Sequence, residues 1–384
     1  MAILNFLTKE YFLSIFNRIA KRHCLCKARK NALSFHGRRS GSGEHSFSIP
    51  GHPARDEKIV VIDPQEKIAG EISLGQSSMI QNNPTTTLNF GGIPRRNSLW
   101  ENSRVVFLPV PYDLTTTYLP GARRGPLAIL EASTHLELFD EELEVEPYRL
   151  GFHTLEPLEA VASGPEEMVR QIQAYAEPVV RANKFPVLIG GEHTVTLGSV
   201  RALREKYPRL SFLQLDAHAD LRESYEGTPF SHACVGRRLA GLGPLVQVGV
   251  RSLSQEENLY LRNAPVKCFP WHSLSGTPDW VEQVCQALPA EVYVTIDLDV
   301  LDPAIMPAVG TPEPGGLDWK TLTQFLAYLA RGKTVVGFDV VELAPIPGLI
   351  APDFLAAKLI YRFLGNIFAS SLLRNKKSLA RKEI

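Results

Sequence analysis

The sequence predicts an α/β fold in three layers, an eight-stranded and mainly parallel sheet with helices on both faces. Two observations carry that expectation. From residue 104 onward, short and continuously apolar runs rich in β-branched residues recur, as they do in strands buried on both faces. Between them lie longer segments with helix-start signals, and alternation of strand and helix implies parallel pairing. The chain has 384 residues, 44% hydrophobic and 21% charged. Those values exclude a mostly disordered, collagen-like or coiled-coil chain.

The elements follow in order. Runs at 105–108, 187–189, 210–215, 245–250, 266–269, 292–296 and 335–338 read as strands, with 149–152 as an eighth. Ser163-Gly164-Pro165-Glu166 reads as a capping box with proline in the first turn, opening a helix that runs to Asn183. Further helices are expected over 194–207, 318–331 and 353–368. Together, residues 100–371 make one domain of catalytic size, followed by a basic tail over 372–384.

Residues 1–99 read differently, as a basic and largely unstructured extension. Residues 1–43 hold nine basic side chains and one acid, Glu10, although the whole chain balances 41 basic against 41 acidic groups. Residues 36–100 are rich in Gly, Ser, Pro, Asn and Thr without sustained period, as linkers are. A balanced charge argues against a general nucleic-acid binder. No apolar run is long enough to span a membrane, so neither nucleic acid nor membrane is expected as a partner. The apolar stretch at 2–19 precedes its basic residues, which is the wrong order for a secretory signal but compatible with a mitochondrial transit peptide. The body is expected in the cytoplasm, or in the mitochondrial matrix if that segment is a transit peptide. Five scattered cysteines suit a reducing compartment. His23, Cys24 and Cys26 lack a second ligand pair at zinc-site spacing.

The chemistry lies at three strand ends. The runs at 187–189, 210–215 and 292–296 lead into Gly190-Gly191-Glu192-His193, Asp216-Ala217-His218-Ala219-Asp220 and Asp297-Leu298-Asp299. A parallel sheet brings such ends to one rim. His193, Asp216, His218, Asp220, Asp297 and Asp299 would repel there unless paired or metal-bound. Carboxylates outnumber imidazoles and no thiolate is near, which favours a hard or borderline divalent ion such as manganese over structural zinc. So many ligands exceed the need of one ion and suit two, about 3.5 Å apart.

These motifs, with Ser231-His232 and the run from Thr295 to Pro303, resemble the ureohydrolase family of arginase, agmatinase and formiminoglutamase. Pro111-Tyr112-Asp113, Gly121-Ala122-Arg123-Arg124-Gly125-Pro126, Thr311-Pro312-Glu313-Pro314-Gly315-Gly316 and Gly337-Phe338-Asp339-Val340-Val341-Glu342 resemble its agmatinase branch. The resemblance covers residues 100–370. It implies an arginase-like fold, a homotrimer or homohexamer, and two Mn2+ ions per subunit. His193 and His218 would each serve one ion, with Asp216 and Asp297 as bridges.

The implied reaction is hydrolysis of agmatine to putrescine and urea, a step of polyamine biosynthesis. Asp220 would hold the proton of the nucleophile, His232 would shuttle a proton to the leaving amine, and Glu342 would accept from the guanidinium. Asp339 reads as a structural hydrogen-bonding partner. The loop before His232 lacks the Ser-Gly-Asn stretch with which arginases meet an α-carboxylate, and Glu223 and Glu226 are placed to attract a distal ammonium instead. Other guanidino substrates remain open: N1-aminopropylagmatine, guanidinobutyrate, or free guanidine with Ni2+ in place of manganese. A non-catalytic metal-binding homologue would lack a ligand or the shuttle, and none is missing. A deacetylase-like site would carry tandem histidines, which the sequence lacks.

Overall fold

The computed structural model describes residues 88–380 apart from Ser275. The basic segment 1–43, the apolar stretch 2–19 and the His23, Cys24 and Cys26 cluster lie outside the described residues. The strands are β1 Val105–Val110, β2 Phe152–Thr154, β3 Phe185–Gly190, β4 Ser211–Leu215, β5 Leu245–Val248, β6 Val266–Phe269, β7 Glu291–Asp297 and β8 Thr334–Val341. They form one sheet in the order β2-β1-β3-β8-β7-β4-β5-β6, and every pairing is parallel. The expected eighth strand begins later than 149. Pro147–Leu150 forms a 3-10 turn instead, and Gly151, at φ 75, redirects the chain into β2 at a conformation that glycine alone adopts freely.

The helices of eight or more residues are α1 Gly125–Ser133, α2 Pro165–Arg181, α3 Thr196–Lys206, α4 Val235–Leu242, α5 Gln255–Asn263, α6 Trp280–Ala287, α7 Trp319–Gly332, α8 Ala351–Ile367 and α9 Ala369–Ala380. Strand residues alternate between two cores. Val105 and Phe107 face a core built with α1, α6, α7 and α8. Val106, Leu108 and Val110 face the other, built with α2, α3 and α4. Full burial of a side chain such as Phe107 or Phe338 stabilises by about 1.5–3 kcal/mol. The packed body also takes in Phe90, whose ring stacks on Phe107 at 4.3 Å. That is ahead of the boundary expected at residue 100.

The expected capping box at Ser163 does not form. Gly164 is the N-cap, without a side-chain cap, which shifts Glu166 out of the third helical position where it would reach back. A box does form at α5, where Ser254 Oγ accepts from Glu257 N at 3.2 Å and Glu257 Oε2 accepts from Ser254 N at 2.7 Å. No helix among the described residues is long and apolar enough to cross a membrane.

Candidate metal centre and active site

Strands β3, β8, β7 and β4 lie side by side in mid-sheet, and each ends in a functional candidate. His193 opens the 3-10 turn that follows β3. Gly191 lets that turn form, because a Cβ there would run into the backbone of Tyr112. Asp216 follows β4, Asp297 ends β7, and Glu342 follows β8. Glu342 (φ 67) and Asp220 (φ 53) are non-glycine residues in the left-handed region. Such conformations persist where surrounding structure enforces them, often at functional sites.

The structure brings all six predicted ligands together. His193 Nδ1 lies 3.2 Å from Asp216 Oδ2, 3.1 Å from Asp220 Oδ2 and 3.3 Å from Asp297 Oδ2. On the other side, His218 Nδ1 lies 2.7 Å from Asp299 Oδ2 and 3.7 Å from Asp216 Oδ1. Asp216 therefore turns one oxygen to each imidazole. The two carboxylates are held alike from the backbone, Asp216 Oδ1 accepting the His218 N–H at 2.6 Å and Asp297 Oδ1 the Asp299 N–H at 2.9 Å. Asp299 Oδ1 in turn accepts the Ala217 N–H at 2.9 Å.

Crowding and burial shift the groups of this cluster. Burial, then the charges of Asp299 and Asp216, push Asp297 well above the carboxylate range. Burial and the charge of Asp216 push Asp220 up to about 7. Burial opposes charge on His218, but Asp299 and Asp216 outweigh it and raise that group to about 12. The carboxylates thus favour positive charge, on a proton or a cation, among them. The decisive atom is His193 Nδ1, fully buried among three carboxylates and without a hydrogen-bond partner. Its other nitrogen is committed, 2.9 Å from Thr295 Oγ1. Buried polar atoms are ordinarily partnered, so an orphan pointing into a carboxylate cluster fits a metal ligand.

Beside this cluster is a cavity of about 260 Å³, lined in part by His193, His218, Asp220, His232, Tyr225 and Glu342. His232 Nε2 lies 3.1 Å from Thr117 Oγ1, and its Nδ1 lies 3.2 Å from Ser231 Oγ. Burial, and then the charge of His193 and His218, lower it to about 4, so its ring is neutral at pH 7. Glu342 Oε1 accepts the His193 N–H at 2.6 Å. Burial and the charge of Glu192 raise Glu342 to about 8.

Two expectations need correction. Glu223 is not free to attract an ammonium, because Arg237 and Arg238 clamp it at 2.6 and 2.8 Å. Neither Glu223 nor Glu226, which sits in a turn at φ 48, lines the cavity.

Residues 103–365 match the model of the arginase family. The chain belongs to the arginase family. It is an ureohydrolase, a hydrolase of C–N bonds in linear amidines. It is similar to the N(1)-aminopropylagmatine ureohydrolase of Thermus thermophilus, with 44% identity over 70% of this chain and 92% of that one. It is also similar to the agmatinase of Bacillus cereus, with 36% identity over 64% of this chain and 86% of that one. Among solved structures, the agmatine ureohydrolase of Thermoplasma volcanium superposes with a TM-score of 0.67 and 29% identity, covering 73% of this chain and 94% of that one.

The support behind His232 escaped sequence reasoning. Thr115 gives its N–H and hydroxyl to the buried Glu192 at 2.6 and 2.8 Å. The same hydroxyl accepts the His232 N–H at 3.1 Å. Glu192 thereby holds the loop that holds His232. The signal was present as Thr115-Thr116-Thr117 just after Pro111-Tyr112-Asp113. Asp339 does serve as a structural partner, accepting from Thr295 at 2.6 Å and from Tyr293 at 2.8 Å.

Proposed function

We propose that this ureohydrolase hydrolyses the guanidino group of a linear polyamine precursor, N1-aminopropylagmatine, at a centre of two Mn2+ ions. The observation that carries the reading is the pair of His/Asp groups sharing Asp216 on the wall of a narrow cavity. One ion would be held by His193, Asp216, Asp220 and Asp297, the other by His218, Asp216, Asp297 and Asp299, with Asp216 and Asp297 serving both. Such a centre supplies hydroxide at neutral pH, where bulk water is a poor nucleophile.

The chain's own groups do the rest. Glu342 accepts from guanidinium N–H groups and fixes the electrophilic carbon in the cavity. Asp220, crowded by Asp216 and buried, takes the proton of the attacking oxygen. Once the C–O bond forms, the bond from that carbon to the alkyl nitrogen breaks. The departing nitrogen needs a proton, and His232 is placed to shuttle it. The products are urea and the free amine, spermidine from N1-aminopropylagmatine or putrescine from agmatine.

The sequence motifs by themselves point to agmatine. The 44% identity to an N(1)-aminopropylagmatine ureohydrolase, against 36% to an agmatinase, favours the aminopropylated substrate. A trimeric or hexameric assembly, as the resemblance implies, belongs to the same proposal. The test is urea release by Mn2+-loaded protein from N1-aminopropylagmatine, agmatine, arginine, guanidinobutyrate and guanidine. The highest kcat/KM is expected on N1-aminopropylagmatine, with agmatine second. Preference for another of these compounds would replace the substrate, and no urea from any would refute the reaction.

A further inference from the structure

One transverse row of the sheet is polar where its surroundings are apolar. Gln247 of β5 pairs in register with Gln214 of β4, Gln214 with Thr295 of β7, and Thr295 with Asp339 of β8. All four are fully buried. The row ends at Leu188 on one side and Cys268 on the other. Register partners in a sheet point to the same face, and so do residues two apart in a strand. The row therefore lies one step beneath Asp216 and Asp297.

Each half of the row ends on a different candidate ligand. Asp339 accepts from Thr295, whose hydroxyl meets His193 Nε2. In the other half, Gln247 Nε2 donates to Gln214 Oε1 at 2.9 Å and to Ala219 O at 2.6 Å. Gln214 Nε2 then donates to Asp216 Oδ2 at 2.7 Å. The direction of this chain is forced. A carboxylate and a carbonyl only accept, so both amides must point their NH2 groups as they do. Gln247 Oε1 is left buried without a partner, a cost that native structures rarely carry without reason.

Helix α4 presses the glutamine pair from outside. A Cβ on Gly236 would stand 2.6 Å from Ala219 O and 3.0 Å from both Gln214 Oε1 and Gln247 Nε2. The pair thus lies between the Asp216 carboxylate and the helix that follows His232.

We infer that Gln214, oriented by Gln247, is a positioning residue that fixes Asp216 Oδ2 toward the His193 side, while the His218 N–H holds Oδ1 at 2.6 Å, so that the carboxylate serves both sides. The inference rests on the two-ion reading above. Partners of metal ligands typically govern affinity by 10- to 100-fold on substitution, and this one acts on a ligand that both ions share.

The experiment measures Mn2+ stoichiometry and affinity by calorimetric titration, the electron paramagnetic resonance signal of the coupled ion pair, and kcat and KM. Wild type, Gln214→Met and Gln247→Met are compared, with folding checked by circular dichroism. In Gln214→Met, Mn2+ affinity is expected to fall about 10- to 100-fold, the coupled-pair signal to weaken, and kcat to drop with little change in KM. Gln247→Met should show the same pattern to a smaller degree. A folded Gln214→Met with wild-type affinity and an unchanged pair signal would overturn the inference. If Gln214→Met fails to fold, an unchanged Gln247→Met overturns it instead. A wild type that binds fewer than two ions would refute the two-ion reading rather than this one.

Discussion

The two imidazoles of the centre stand in unlike surroundings. The His193 side chain is 1% exposed and that of His218 is 25% exposed. The His193 ring is pinned from behind by Thr295 and Asp339 and faces three carboxylates. The His218 ring leans on Asp299, and its far nitrogen looks across 3.7 Å to Glu313 on a surface loop. Partners of this kind fix the orientation of a metal ligand. In the proposed two-ion centre the two positions are therefore unlike: the one at His193 is enclosed by protein, and the one at His218 is the more open to water.

Substitution of each imidazole in turn separates the two sides. His193→Ala should abolish urea release and lower Mn2+ affinity on its side by more than the ~100-fold typical of a ligand's partner, because it leaves three carboxylates crowded without their imidazole. His218→Ala should cost less, keeping one tightly held ion and residual turnover. Equal losses by metal titration would erase the asymmetry.

A smaller effect is expected from His232, which touches neither side directly. His232→Asn should lower kcat by about 10²–10⁴-fold while Mn2+ content stays at the wild-type level. Stability should respond as well. Burial, aided by the charge of His193 and His218, lowers this group from 6.5 to about 4 in the folded chain. Between those values the unfolded chain binds the proton and the folded chain does not, so metal-free protein loses stability as pH falls through that window. The variant should lose less over the same range in thermal melts, and an identical pH slope would contradict the assignment.

How much was legible in the sequence varied from residue to residue. The six ligand candidates stood out because each lies just past an apolar strand run, where parallel pairing gathers chain ends. Helices α4 and α6 are only two turns long, too short for a 3.6-residue period to declare itself. The capping signature misled at Ser163 and was overlooked at Ser254, since spacing alone does not reveal which residue becomes the N-cap. Glu223 looked free because its partners Arg237 and Arg238 come from helix α4, which sequence reading had not found. Gln214, Gln247 and Thr295 were visible as polar residues inside apolar runs. Their meaning depends on strand register, which no local pattern states.

In the proposed centre two ions share Asp216 at the ends of β3, β4 and β7. Crystals grown with Mn2+ and measured at the manganese absorption edge would test it most directly. Two anomalous peaks are predicted, one against His193 Nδ1 and Asp220 and the other against His218 Nδ1 and Asp299, with Asp216 and Asp297 between them. A single peak, or none between the two imidazoles, would contradict it.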